Sequence, residues 1–319
     1  MILSQKYDTI IFDMDGVITS EQRYWDAAAL TVACAEGIES RDAAYLRSIL
    51  FYDDRLIRFF KEKGINSNWD LAYLVRAYMP EGGTGKDVYD RLCGTEMLAF
   101  ELYTEAAKLL AQKLSLPEAD TVREGKVWRE MQDDFQHWFL GSETYAENGG
   151  TATGENREGL YKGEKPLLET VIPTLKALYD KGLRLCIATG RPLKEAMLPL
   201  EVWGIKELFD ADGIASYNHI RNAEEALGLG GKLTKPHPYI FLKAFLGTHF
   251  ADKDIVDGNF SADLSRCLAV GDAGADMLSA QGAKMDFAAV LTGISGKDAR
   301  GYFEENGATY ILDTIEEIK

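Results

Sequence analysis

Several residues suited to binding or transferring a charged group follow short apolar segments of this sequence, or lie just before or in the first turn of a predicted helix. In chain order they are Asp13, Asp15, Thr189, Gly190, Arg191, Lys235, Asp272 and Asp276. The short apolar segments, bounded by polar residues, indicate buried strands. Open α/β sheets bind ligands at the carboxyl ends of their strands. We therefore expect these residues to converge on one edge of a sheet.

The chemistry that these residue types support is phosphoryl transfer. A phosphate monoester is a dianion, so an attacking carboxylate needs that charge to be neutralised. Asp13 and Asp272 can hold a hard cation, and Mg²⁺ suits a sparse oxygen site completed by water and phosphate. One of these two carboxylates can attack phosphorus, while Asp15 gives a proton to the leaving oxygen and later takes one from water. The groups that can bind phosphoryl oxygens or balance charge are Thr189, the Gly190 amide and Lys235.

The elements that must position these residues divide into two kinds. Between about residues 21 and 140 apolar residues recur with a helical period, which predicts five or so amphipathic helices. After residue 167 strands alternate with helices, which predicts a parallel, doubly wound sheet. The strand at 8–12 has no helix partner nearby, so we assign it to the later sheet. The predicted domains are a core of residues 1–19 and 165–319 and an inserted helical domain of residues 20–164.

The element bounds follow from the same periodicities. The predicted strands of the core are 8–12, 183–188, 213–216, 266–270, 287–291 and 309–312. The predicted helices of the core are about 168–181, 192–202, 237–247, 273–283 and 296–306. One predicted apolar stripe of the inserted domain runs through Tyr45, Ile49, Tyr52, Leu56 and Phe59. Residues 141–166 lose the helical period and are rich in glycine and polar residues, which predicts a loop.

Four segments of the sequence together resemble a known family. FDMDGVITS, IATGRP, TKPHPYIF and AVGDAGADMLSAQGA are similar, in this order, to the four motifs of haloacid dehalogenase-like (HAD) hydrolases. The segment LTGISGKDA near the C-terminus resembles the phosphatase members of that family. The helical insertion directly after the first motif resembles the α-helical cap class, although at about 140 residues it is longer than the family's usual cap.

The resemblance implies a role for each matching residue. Asp13 matches the nucleophile, and Asp15 matches the acid–base residue that also offers its backbone carbonyl to magnesium. Thr189 matches the hydroxyl of the second motif and Lys235 the lysine of the third. The last motif supplies the metal-binding acid and its companion, which are Asp272 and Asp276. The resemblance thus implies a Mg²⁺-dependent phosphatase acting on a small phosphorylated metabolite.

Five further residues are candidates for binding the substrate. The Gly190 amide can donate to phosphoryl oxygens, and Arg191 either touches phosphate or caps a helix. Glu21 and Arg23 lie at the start of the inserted domain, next to the nucleophile. Lys86 ends a segment, GGTGK, that resembles a phosphate-binding loop but lacks its first glycine and its final serine or threonine. Lys86 can still bind the leaving group from a flexible loop.

Other functions on the same scaffold stay open. A phosphosugar mutase would hand the phosphoryl group to a second hydroxyl instead of water. A phosphonate hydrolase would need a lysine able to form a Schiff base, and the candidates are Lys61, Lys63, Lys86, Lys108 and Lys113. A dehalogenase is disfavoured, because carbon–halogen cleavage needs neither magnesium nor the second acid, Asp15. The alternative outside enzymes is a catalytically silent HAD protein that only binds a ligand.

Composition limits the partners of the protein. The net charge is −16 and the isoelectric point about 4.8, so a polyanion such as nucleic acid is not expected to bind. No run of about 18 apolar residues and no signal peptide is present, so no membrane association is expected. The four cysteines form no metal-ligand cluster or disulfide pattern, which favours the reducing cytoplasm. We expect a monomer or a homodimer.

Overall fold

A single parallel sheet organises the part of the chain that carries the motifs. The computed structural model describes residues 6–151 and 154–318. Its strands are β1 (Thr9–Phe12), β2 (Arg184–Ala188), β3 (Ile214–Ala215), β4 (Cys267–Gly271), β5 (Asp286–Val290) and β6 (Tyr310–Leu312). They form one six-stranded sheet in the order β3-β2-β1-β4-β5-β6, with every neighbouring pair parallel. The predicted fold class and all six predicted strands are confirmed, each within two residues at either end.

The strands are mostly apolar because the sheet is covered on both faces. All four residues of β1 are buried, and β1 lies between β2 and β4 at the centre of the sheet. Successive residues of a strand point to opposite faces, and Ile10 and Ile11 accordingly belong to two different clusters of buried residues. Since β1, β2 and β4 run in register, the residues that follow them, Asp13, Thr189 and Asp272, lie at one edge of the sheet.

The chain divides into two compact units. One consists of the chain up to Glu21 together with the chain from Glu164 onward, and the other of Gln22–Gly163. The two ends of the insertion are held side by side in the first unit, where the Leu167 amide donates to the Ile18 carbonyl at 2.9 Å. No helix among the described residues is long and apolar enough to cross a membrane.

The unit of Gln22–Gly163 is helical, with more helices than the apolar pattern predicts. In the described part of this unit they are α1 (Gln22–Ala35), α2 (Ala43–Leu50), α3 (Arg55–Glu62), α4 (Asn68–Tyr78), α5 (Gly85–Leu92), α6 (Ala99–Leu114), α7 (Glu118–Thr121) and α8 (Lys126–Glu147). The interpretation of Tyr45–Phe59 as one apolar stripe is wrong. The left-handed residues Tyr52, Asp53 and Asp54 separate α2 from α3, and Tyr45 is 55% exposed.

The prediction of a loop over residues 141–166 is wrong in part. Helical structure continues to Glu147 after a break at Gly141, which has φ 75° and ψ 162°. A Cβ atom on Gly141 would lie 2.6 Å from the Gly159 nitrogen, so the returning chain packs directly on the break. Arg157 is buried there, stacks on Trp138 at 3.6 Å from its ring centroid and pairs with Asp134 at 2.8 Å. Polar side chains therefore hold this segment in place, which composition alone does not reveal.

The remaining helices flank the sheet. They are α9 (Val171–Asp180), α10 (Leu193–Val202), α11 (Tyr217–Leu227), α12 (Tyr239–Leu246), α13 (Asp252–Asp257), α14 (Gly274–Gly282) and α15 (Arg300–Glu305). The predicted helix at 296–306 is split into a 3-10 turn, Gly296–Ala299, and α15. Neither α11 nor α13 follows from the apolar pattern, because each buries only a few side chains.

Candidate active site

Asp13 and Lys235 form the centre of the site. Asp13 follows β1 directly, and its amide donates to the Val270 carbonyl of β4 at 2.8 Å. The Lys235 ammonium donates to Asp13 Oδ1 at 2.7 Å and to the Ala188 carbonyl at 3.0 Å. Its third partner is Asp276 Oδ1, also at 2.7 Å. Lys235 therefore uses all three of its N–H donors to join the ends of β1 and β2 to the start of α14.

Burial and charge act in opposite directions on this pair. Burial raises the pKa of Asp13 to about 7, with Lys235 lowering it and Asp276 adding a further rise. Burial alone would lower the pKa of Lys235, but the carboxylates of Asp13 and Asp276 raise it above its usual range. Lys235 consequently keeps its positive charge at neutral pH.

Three carboxylates can share one metal ion. One oxygen atom from each of Asp13, Asp272 and Asp276 lies within 4.8 Å of the other two. This donor set consists of oxygen alone, which fits a hard divalent cation such as Mg²⁺. Asp276 has a second structural task, since its Oδ2 accepts from the Ala273 amide at the start of α14 at 3.2 Å. The capping bond holds the orientation of the Asp276 carboxylate.

Two glycines enclose the carboxylate of Asp272. A Cβ atom on Gly293 would lie 1.9 Å from Asp272 Oδ2, and one on Gly16 would lie 2.4 Å from the same atom. Thr292 links the two glycine segments by donating its hydroxyl to the Gly16 carbonyl at 2.5 Å. Any side chain larger than hydrogen at either position would displace the carboxylate. The sequence pattern offered no sign of this role for Gly293.

Asp15 is held by a buried guanidinium. Arg191 Nε donates to Asp15 Oδ2 at 3.0 Å, and its Nη2 donates to Asp15 Oδ1 at 2.5 Å. The other side of the guanidinium faces Glu164, with Nη2 to Oε1 at 2.6 Å and Nη1 to Oε2 at 3.2 Å. The Thr19 hydroxyl donates to Asp15 Oδ1 at 3.0 Å and accepts from Arg191 Nη2 at the same distance. Sequence reasoning missed Thr19 and Glu164.

The second-motif residues lie at the end of β2. Thr189 is buried, its amide donates to the Ala215 carbonyl at 3.0 Å, and its Oγ1 accepts from the Arg191 amide at 3.1 Å. Gly190 is exposed, and a Cβ atom there would meet no other atom within 4 Å. The backbone at Gly190 therefore leaves room beside the carboxylates, which suits a phosphoryl group.

The predicted substrate contacts from the helical insertion have local partners. Arg23 donates to the Gly163 carbonyl and to Asp26, each at 3.1 Å. Lys86 lies in the first turn of α5 and pairs with Asp90, and the end of the glycine-rich segment, Thr84 and Gly85, caps and begins that helix. Glu21 is half-buried at the end of the first segment of the sheet unit. Roles for Glu21, Arg23 and Lys86 in binding substrate stay predictions.

Comparison with known proteins shows the family of this chain. The model of the haloacid dehalogenase-like hydrolase family matches residues 7–284. The chain belongs to this family. No curated protein sequence matches the chain.

Solved structures extend the comparison to the fold of this HAD hydrolase. An X-ray structure of Northeast Structural Genomics Consortium target ZR25 is 26% identical, with a TM-score of 0.81 over 98% of this chain and 97% of that one. The "Putative Phosphatase from Clostridium difficile" is 17% identical, with a TM-score of 0.51 over 98% and 97%. The "Putative haloacid dehalogenase-like hydrolase from Bacteroides fragilis" is 14% identical, with a TM-score of 0.52 over 98% and 100%. At these last two identities the similarity concerns the fold.

Proposed function

We propose that this HAD hydrolase is a Mg²⁺-dependent phosphatase of small phosphorylated metabolites that works through an aspartyl-phosphate. The observation that carries the proposal is the joint position of Asp13, Asp272 and Asp276, of which Asp13 and Asp276 also pair with Lys235. Asp15 follows Asp13 by two residues. This edge has a nucleophile, an acid–base residue and a place for a hard cation. Exposed Gly190 beside them supports an open position for the phosphoryl group.

The reaction divides into two balanced steps. In the first, an Asp13 carboxylate oxygen forms a bond to phosphorus, the bond from phosphorus to the ester oxygen breaks, and Asp15 gives that oxygen its proton. In the second, Asp15 takes a proton from water, the water oxygen bonds to phosphorus, and the aspartyl–phosphorus bond breaks. Inorganic phosphate leaves and Asp13 returns to its carboxylate form. Thr189 and the Gly190 amide donate to the phosphoryl oxygens during both steps.

The cation would be held by Asp13, Asp272 and Asp276, with the Asp15 carbonyl as the further ligand that the family implies. When bound, Mg²⁺ neutralises charge on the phosphoryl oxygens. Before substrate binds, the hydrogen bond from Lys235 holds the Asp13 carboxylate in one orientation. We further propose that the helical insertion is the cap that selects the substrate, with Glu21, Arg23 and Lys86 as its candidate contacts.

The test is phosphate release from a panel of phosphorylated metabolites with Mg²⁺. Asp13→Asn should lower turnover by at least about 10³-fold, because the neutral amide is a far weaker nucleophile than the carboxylate. Asp8→Asn is the matched control, since Asp8 lies at the opposite end of β1 and pairs with Arg266 at 2.7 Å. Phosphate release by Asp13→Asn at the wild-type rate would refute the nucleophile assignment. Formation of a phosphate isomer without free phosphate would instead identify a mutase.

A further inference from the structure

The guanidinium of Arg191 lies out of solvent between two carboxylates. Its side chain is 2% exposed, and that of Glu164 is fully buried. Asp15 on its other side is 23% exposed. Arg191 thus joins a partly accessible carboxylate to an inaccessible one, and both contacts use two or more N–H groups.

This burial changes what Arg191 can do for the reaction. A buried guanidinium is tolerated only with charged partners and satisfied donors, and Glu164 supplies such a partner. Arginine paired in this two-pronged way has a fixed geometry, so it holds the group opposite in one orientation. That group is Asp15, whose Oδ1 is also held by the Thr19 hydroxyl. The donors of Arg191 are directed at carboxylates, which is not the arrangement of a phosphate-binding side chain.

We propose that Arg191, itself held by Glu164, is a positioning residue that orients Asp15 for proton transfer to the leaving group. The Arg191–Glu164 pair is neutral as a whole, so it presents fixed N–H donors to Asp15. This inference rests on the proposed acid–base role of Asp15. It assigns Arg191 to the proton-transfer machinery instead of the substrate contacts, and it gives Glu164 a function.

The experiment compares two substrates that differ in how much their leaving group needs a proton. The p-nitrophenolate of p-nitrophenyl phosphate leaves readily without receiving a proton, whereas the alkoxide of an unactivated alkyl phosphate needs a proton from the acid. Asp15→Asn should therefore lower kcat for the alkyl ester about 10²–10⁴-fold and for p-nitrophenyl phosphate much less. Arg191→Gln and Glu164→Gln should reproduce this pattern, more weakly, with KM changed less than about threefold.

A double variant separates positioning from general damage to the fold. In the Asp15→Asn background, Arg191→Gln should cause little further loss, because the group that it positions is already gone. The matched control is Arg157→Gln, which removes another arginine with 6% side-chain exposure and a carboxylate partner. Any loss from Arg157→Gln should be equal for the two substrates.

The outcomes are distinct. A raised KM with unchanged kcat in Arg191→Gln would make Arg191 a phosphate ligand and overturn the inference. Equal losses for both substrates, or the same loss in both backgrounds, would also overturn it. If Asp15→Asn itself shows no preference for the activated substrate, the acid–base role of Asp15 fails first. Failure of the Arg191 variants alone leaves the proposed phosphatase intact.

Discussion

Substitution of Gly293 by alanine tests the geometry of the proposed metal site with a single methyl group. Gly293 has a backbone conformation open to any residue, whereas the other glycine against Asp272, Gly16, has φ +77° and would be strained by substitution regardless of space. The effect of Gly293→Ala therefore comes from the new contact alone. That contact is 1.9 Å from the new Cβ to Asp272 Oδ2, where ordinary contact begins at 3.4 Å.

The magnitude follows from the displacement. The Asp272 carboxylate must move by about 1.5 Å to reach ordinary contact with the methyl group. Metal ligands tolerate only about 0.2 Å of error in distance. The displaced Asp272 carboxylate could therefore no longer bind the same ion as Asp13 and Asp276. Loss of correct ligand orientation costs roughly 10–100-fold in metal affinity. We expect the Kd for Mg²⁺ to rise by at least that factor.

The assay is calorimetric titration of the metal-free protein with Mg²⁺, which needs no turnover. Gly301→Ala is the control, because a Cβ on this glycine in α15 meets no other atom within 4 Å. The metal-free Gly293→Ala protein should unfold within a few degrees of the wild type. A Kd for Mg²⁺ within twofold of the wild type, in a folded variant, would show that Asp272 does not need the space that Gly293 leaves.

Two further predictions concern stability. Asp70→Ala should lower the free energy of unfolding by about 2–4 kcal/mol, because buried Asp70 accepts hydrogen bonds from Trp128 at 2.7 Å and from Tyr103 at 2.9 Å. Denaturant unfolding measures this loss, and a loss below about 0.5 kcal/mol would contradict the prediction. Partial burial alone would raise the pKa of Asp286, but hydrogen bonds from Lys6 and Tyr7 hold this pKa below its usual value of 3.8. Ionised Asp286 therefore stabilises the fold above pH 3.8, and this stabilisation is lost as the pH falls through the lowered pKa. The difference in unfolding midpoint between wild type and Asp286→Asn should therefore shrink between about pH 6 and pH 3, and a constant difference would contradict the assignment.

The strands and helices that could be predicted are those marked by a pattern of apolar and polar residues within their own segment. The strand β1 is a continuous apolar run between polar residues, so its end, and with it Asp13, is readable from composition. Helix α11 lacks such a signal, because of its residues only Ile220, Ala223 and Glu224 are buried. Its start depends on a capping interaction of Ser216 with a histidine three positions on, which the apolar period does not register.

The ion pairs that hold Asp15 could not be predicted in this way. Glu164 lies in a stretch without periodicity, and its partner Arg191 follows 27 positions later. Asp15 precedes Arg191 by 176 positions. Neither pairing leaves a local pattern, because an ion pair constrains the folded positions of two residues and not their neighbours. The candidate nucleophile could be predicted from the sequence. The ion pairs that hold Asp15, two residues later, are visible only in the folded chain.

The charge balance at this edge of the sheet predicts the order in which ligands bind. The carboxylates described at the site are Asp13, Asp15, Glu164, Asp272 and Asp276, and the cations are Lys235 and Arg191. With all five carboxylates ionised, the net charge of these groups is three negative, which repels a phosphate dianion. A divalent cation removes two of these charges, and each charge about 5 Å from phosphate is worth roughly 3 kcal/mol at an effective dielectric constant of 20. Inorganic phosphate should therefore bind the Mg²⁺-loaded protein at least about 100-fold more tightly than the metal-free protein in calorimetric titration. Equal affinity with and without Mg²⁺ would mean that phosphate binds away from these carboxylates.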